Sequence, residues 1–165
     1  MFRPLTLAVS AALIAGCATN PVTGKSQLSL ISESQEIQMG RDAAQQTLQS
    51  VGEYKDPALQ AYVSQIGKEL AAKSERPQLP WEFHVVDDAS VNAFALPGGF
   101  IFVTRGLMTY MNNEAELATV LGHEIGHVTN RHSVNQISKQ QVAQLGLGIG
   151  SILSPTVAQF SQIAG

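Results

Sequence analysis

His123-Glu124-Ile125-Gly126-His127 is the strongest signal in the chain. Taken as a helix, it brings two histidines four residues apart onto one face, one turn above the other. Two imidazoles so placed can hold one Zn²⁺ at about 2.0–2.1 Å each. Glu124 sits beside them, where a carboxylate can take a proton from water at the metal. The flanks support the helix. Asn113 is a cap candidate and Glu116, three residues on, completes a box of the capping kind. Leu117, Val120, Leu121 and Val128 supply an apolar stripe. The plainer alternative is a pair of packed core histidines; Glu124 between them speaks against it.

Upstream lies a cluster of strand signals. Trp81 to Val86 alternates apolar and polar, Val91 to Leu96 is a second short candidate, and Phe100 to Thr104 is a third. Pro97-Gly98-Gly99 reads as the tight turn between the last two. Before the strands come two helices. Ser32 with Gln35 marks the start of one, over about Glu33 to Gln49, and Asp56-Pro57 marks the start of the other. The order of elements predicts an α+β fold, its helices packed on one face of a small sheet.

The chain has 165 residues, of which 44% are hydrophobic and 14% charged. That is enough for one domain with a core and too apolar for disorder. A net charge of −3 with no basic run excludes nucleic acid as an expected partner. A single Cys excludes a disulfide framework and a multi-Cys metal site.

That cysteine is placed tellingly. Arg3 precedes an apolar run from Leu5 to Ala15, too short to span a bilayer as a helix, and the run ends in Ile14-Ala15-Gly16-Cys17. This resembles the lipobox of bacterial lipoproteins, in which the Cys becomes the first mature residue and carries the lipids. Several acyl chains anchor stably where one does not. The expected organisation is a signal peptide over residues 1–16, a lipidated Cys17 and tether over 17–31, and a catalytic domain over 32–165. Ala18 rather than Asp after the Cys favours, by the same resemblance, the periplasmic face of the outer membrane of a Gram-negative bacterium.

Several blocks stand in a familiar order: Asn92-Ala93-Phe94-Ala95-Leu96-Pro97-Gly98-Gly99, Phe100-Ile101-Phe102-Val103, Asn113-Glu114-Ala115-Glu116-Leu117-Ala118 and Leu121-Gly122-His123-Glu124-Ile125-Gly126-His127-Val128. Together they resemble the HtpX and CAAX-prenyl-protease family of zinc metallopeptidases, and Cys17 to Leu30 looks like its bacterial lipoprotein branch. The resemblance implies His123 and His127 as ligands of one Zn²⁺ per chain and Glu124 as catalytic base. It also implies a gluzincin-like arrangement in which the strand with Asn92, Ala93, Phe94 and Ala95 pairs with the substrate backbone. The substrates would be polypeptides, such as misfolded or misassembled envelope proteins.

The same resemblance asks for a third zinc ligand, a Glu on a later helix. No Asp or Glu stands between Val128 and Gly165. The expectation is therefore a domain that is C-terminally incomplete. On a continuous helix His132 would lie about 140° around the axis from His127, away from the metal face, and it reads as a structural residue or one supporting a ligand. His84, in a strand, reads as packed or exposed. The apolar, Gly-rich tract Val142 to Leu153 reads as a cover for the cleft or as a segment that docks on the missing part, with a membrane-surface helix as the lesser alternative. Two rivals stand beside the peptidase: a non-catalytic assembly or chaperone-like lipoprotein with an incomplete metal site, and a purely structural zinc site.

Overall fold

A computed structural model of the chain describes residues 17–20, 22, 24 and 26–146. The expected signal segment 1–16, with Ile14 to Gly16 of the lipobox, and the Gly-rich tract from residue 147 onward lie outside the described residues.

Local chemistry starts the first two helices where the sequence predicts. The Ser32 hydroxyl accepts the Gln35 N–H at 3.2 Å, and the Gln35 side chain accepts the Ser32 N–H at 2.9 Å. This closed capping box opens α1, Glu33–Ser50. Asp56 accepts the Leu59 N–H at 3.0 Å, with Pro57 at the first helical position, and opens α2, Pro57–Ala71. The Gln60 amide then ties α2 to the sheet. It donates to the Val85 carbonyl at 2.7 Å and accepts the Val85 N–H at 2.8 Å, as a neighbouring strand would.

The sheet has three strands: β3, Glu82–Val86; β4, Ala93–Leu96; and β5, Phe100–Thr104. β5 is central, parallel to β3 and antiparallel to β4. Gly98 and Gly99 turn β4 into β5 at φ of 80° and 109°, in the region open to glycine. A Cβ on Gly98 would also stand 2.6 Å from the Ile37 Cα, so α1 sits directly on this turn.

All five residues of β5 are buried, and this corrects the expected packing. Ile101 and Val103 face a cluster built with Val63 and Ile66 of α2 and with Leu117, Leu121 and Ile125 further on. Phe100 and Phe102 face the other way, onto Ala43 and Ala44 of α1. Helices therefore cover both faces of the sheet. An unbroken apolar run such as Phe100 to Val103 is what a strand buried on both sides requires. Each large side chain so buried stabilises the fold by about 1.5–3 kcal/mol.

After β5 a short helix α3, Arg105–Met108, leads to α4, Glu114–Thr129. The Asn113 side chain caps α4 by accepting the Glu116 N–H at 3.0 Å. Glu116 closes the box one residue early, accepting the Asn112 N–H at 2.8 Å. α4 does not continue as the sequence suggests. Arg131 takes φ of 55° and a separate helix α5, His132–Gly146, begins next to it. The expected tether contains a two-stranded antiparallel ladder, β1 (Cys17–Thr19) with β2 (Ser26–Leu28). Among the described residues no helix is long and apolar enough to cross a membrane.

Candidate metal centre

α4 buries Leu117, Leu121, Ile125 and Val128 against the core and leaves His123 and His127 toward solvent. Their Nε2 atoms converge to 3.1 Å, with the ring centroids 4.7 Å apart. Two nitrogens bound to one tetrahedral Zn²⁺ stand about 3.3 Å apart, so the pair is already close to the geometry that a shared metal imposes. Among the described residues no group of three His, Cys, Asp or Glu is gathered for a metal. The two imidazoles fit zinc as a pair, not as a complete set.

Glu124 lies between them in sequence but turns inward, with only 9% of its surface exposed. Among the described residues no hydrogen-bond donor meets its carboxylate. Burial raises its pKa above the ordinary carboxylate value, while charge on His127 and His123 would pull it down. A carboxyl so held is primed to take up a proton.

His132 lies against the far edge of His127. The two Nδ1 atoms are 3.1 Å apart and the rings meet edge to face at 83°. Withdrawal from water lowers the His132 pKa, and charge on its neighbours adds to the effect. His132 therefore neither joins the converging Nε2 atoms nor points away, as a continuous helix would have had it. The reversal at Arg131 brings it back.

That reversal is clamped. The Arg131 guanidinium reaches Glu36 of α1 at 2.9 Å and the Ile31 carbonyl at 2.9 Å. Arg76 holds the other side of Glu36 at 2.8 and 3.1 Å, and also donates to the Val128 carbonyl at 3.1 Å. Burial works against the Arg76 charge, yet Glu36 and then Glu33 hold its pKa above the ordinary value. No local signal in the sequence marks this cluster. Its members are 40 to 95 positions apart, and each alone resembles a solvated charge.

The remaining expected site residues fall as follows. Asn92 precedes β4, whose outer edge pairs with no other strand among the described residues. The Thr104 N–H donates to the Asn92 carbonyl at 3.0 Å. Antiparallel alternation then aims the peptide groups of Asn92 and Phe94 at β5, and those of Ala93 and Ala95 at the open edge. The Phe94 ring stacks on Phe102 at 5.1 Å and belongs to the core. His84 stacks on Phe102 from the sheet face opposite α4 and meets Glu53 at 3.1 Å. Glu116 is occupied with the α4 cap. Cys17 begins β1.

A helix that converges two imidazoles and buries a glutamate with no hydrogen-bond partner among the described residues, set on a small mixed sheet, belongs to the H-E-x-x-H class of metallohydrolase folds. The model of peptidase family M48 matches residues 57–162, and the chain belongs to that family. It is 33% identical over 178 residues to the beta-barrel assembly-enhancing protease of Escherichia coli, a match covering 100% of this chain and 37% of that relative. The protein of the same name from Yersinia pestis is 35% identical, over 88% of this chain and 30% of its own length. The mitochondrial metalloendopeptidase OMA1 of Schizosaccharomyces pombe is 35% identical, over 72% of this chain and 36% of its own. The chain thus spans about a third of the length of these curated relatives.

Proposed function

We propose that this protein is a zinc-dependent endopeptidase of the bacterial envelope, anchored by lipid on Cys17 to the periplasmic face of the outer membrane and acting on polypeptides there. The observation that carries the reading is Glu124, a buried carboxylate without a hydrogen-bond partner among the described residues, beside two imidazoles converged to 3.1 Å. Membership of a peptidase family supports the reaction class. The relatives named for β-barrel assembly support a setting in the bacterial envelope.

His123 and His127 would hold the zinc through Nε2. When bound, zinc would polarise the scissile carbonyl and make an attacking water more acidic. Glu124 takes the proton of that water and returns it to the leaving amine. The free edge of β4 would bind the substrate backbone as an added strand, through the peptide groups of Ala93 and Ala95. Of the expected set Asn92 to Ala95, these two do the pairing, while Asn92 and Phe94 hold the strand to β5. The arrangement is gluzincin-like, with an acidic third ligand that residues 128–165 do not contain. The domain reading stands with it: signal segment 1–16, Cys17 and tether to 31, peptidase domain from 32.

The presence of only two converging donors among the described residues favours one rival, a chaperone-like lipoprotein with an incomplete site. A single comparison separates them. In a protein that also supplies the acidic third ligand, wild type should bind zinc and cut an unfolded β-barrel polypeptide, Glu124→Gln should keep the zinc and lose the cutting, and His123→Ala should lose both; the 165-residue chain alone should bind zinc weakly and cut little. Equal hydrolysis by wild type and Glu124→Gln would overturn the role of Glu124 as the base. Anchoring is read separately, by detergent partitioning of wild type against Cys17→Ala.

A further inference from the structure

We propose that His132 is a positioning residue for His127, accepting the Nδ1–H of that ring and so fixing the tautomer whose bare Nε2 faces His123. The inference rests on the reading of His127 as a metal ligand.

The ring protons of the two imidazoles decide which one can bind metal. A neutral imidazole carries one ring proton, and a metal takes the nitrogen without it. The Nδ1 atoms of His127 and His132 are 3.1 Å apart, so in a neutral pair one of them carries the shared hydrogen and the other accepts it. If His132 carries it, the proton of His127 must sit on Nε2, and His127 cannot bind metal. If His127 carries it, Nε2 is bare and points at the His123 Nε2, 3.1 Å away. The ligand-competent state of His127 and the acceptor state of His132 are therefore one state. Among the described residues His132 is the single partner of the His127 Nδ1. Metal-bound histidines ordinarily give that hydrogen to a carboxylate, a carbonyl or water. Here a second imidazole fills the place.

The fold is built to bring His132 there. The Asn130 side chain donates to the Gly126 carbonyl at 2.9 Å and closes α4. Arg131 then takes its φ of 55°, and Glu36 and the Ile31 carbonyl hold its side chain. The chain reverses, and His132 enters α5 with its ring centroid 4.9 Å from that of His127.

Two substitutions in the full chain test this. His132→Phe keeps a ring and removes the acceptor; His132→Asn keeps an acceptor oxygen near the Nδ1 position. Zinc affinity, read by competition with a chromogenic chelator, should fall about 10- to 100-fold in the Phe variant and stay within about threefold of wild type in the Asn variant. The melting temperature of the metal-free Phe protein should match wild type, which a merely structural role would not allow. Wild-type zinc affinity in a folded Phe variant overturns the inference. Should that variant fail to fold, long-range ¹H–¹⁵N spectra of zinc-loaded wild type decide. The proton of His127 on Nδ1 and that of His132 on Nε2 support the proposal, and a protonated Nδ1 on His132 overturns it. His123→Ala serves as the control. Undiminished zinc binding there refutes the ligand assignment itself, whereas its loss beside an unaffected Phe variant refutes only the role of His132.

Discussion

Glu36, on α1 beside the C-terminal half of α4, and Glu124, on α4 itself, are both buried glutamates, and the fold treats them in opposite ways. Glu36 is 1% exposed and meets three guanidinium nitrogens from Arg76 and Arg131. Glu124 is 9% exposed and has no hydrogen-bond partner among the described residues. Burial of a carboxylate costs free energy unless charge and hydrogen bonds compensate it. At the corner of α1, α4 and α5 the compensation is close to complete, and the result is a clamp that sets the path of the chain. On α4 it is withheld, and the carboxyl is left available to a proton. The same residue type is structural in one place and, in the proposed reaction, chemical in the other.

The largest test of that contrast is Glu124→Gln. It should lower kcat/KM for peptide hydrolysis by about 10²–10⁴-fold, the usual worth of a positioned general base, with zinc content unchanged. Activity within tenfold of wild type would make the two glutamates alike after all.

The converse is Glu36→Gln. It strands Arg76 and Arg131 beside a neutral amide, and removing one partner of a buried ion pair costs about 3–5 kcal/mol. Urea unfolding should show a lower midpoint, which multiplied by a little-changed slope gives a loss of that size. A loss under about 1 kcal/mol would mean that solvent reaches the corner and that the clamp is weak, since exposed pairs are worth no more than that.

How much of this contrast the sequence shows depends on how local each feature is. The Ser32–Gln35 box, the Asp56-Pro57 start and the Asn113 cap are legible because each is written within four residues. The pairing of His123 with His127 is legible for the same reason, being one helical turn. Glu36 with Arg76 and Arg131 is illegible because three separate elements supply it. Arg131 is harder still. A positive φ at a non-glycine residue has no signature in the chain, so α4 and α5 read as one helix, on which His132 falls away from the metal face. The second covered face of the sheet did leave a trace, the unbroken run Phe100 to Val103, which alternation alone passes over.

A third, smaller test asks whether α1 is held by the clamp alone. Gly40, one turn beyond Glu36, lies where a Cβ would run into the Pro97 carbonyl oxygen. Gly40→Ala should cost about 1–3 kcal/mol through overpacking, independently of charge. If the loss vanishes in the Glu36→Gln background, α1 has already lifted away and the two features act as one unit; if the losses add, packing and ion pairing hold the helix separately.

The smallest effect carries the sharpest sign. Glu124→Gln, measured without metal, should not destabilise the protein and should stabilise it by up to about 1 kcal/mol. The wild-type carboxylate is partly withdrawn from water and meets no donor among the described residues, whereas an amide is neutral and loses less on the same transfer. The gain stays small because the carboxyl oxygens keep some contact with solvent. Glu36→Gln, the same chemical change at the other buried glutamate, must move stability the other way. Thermal melts of the two variants in a strong chelator make the comparison directly. Opposite signs would show that the difference between the glutamates lies in what surrounds them. A clear loss in both would mean that Glu124 makes a stabilising contact, and the case for keeping it free for chemistry would fall.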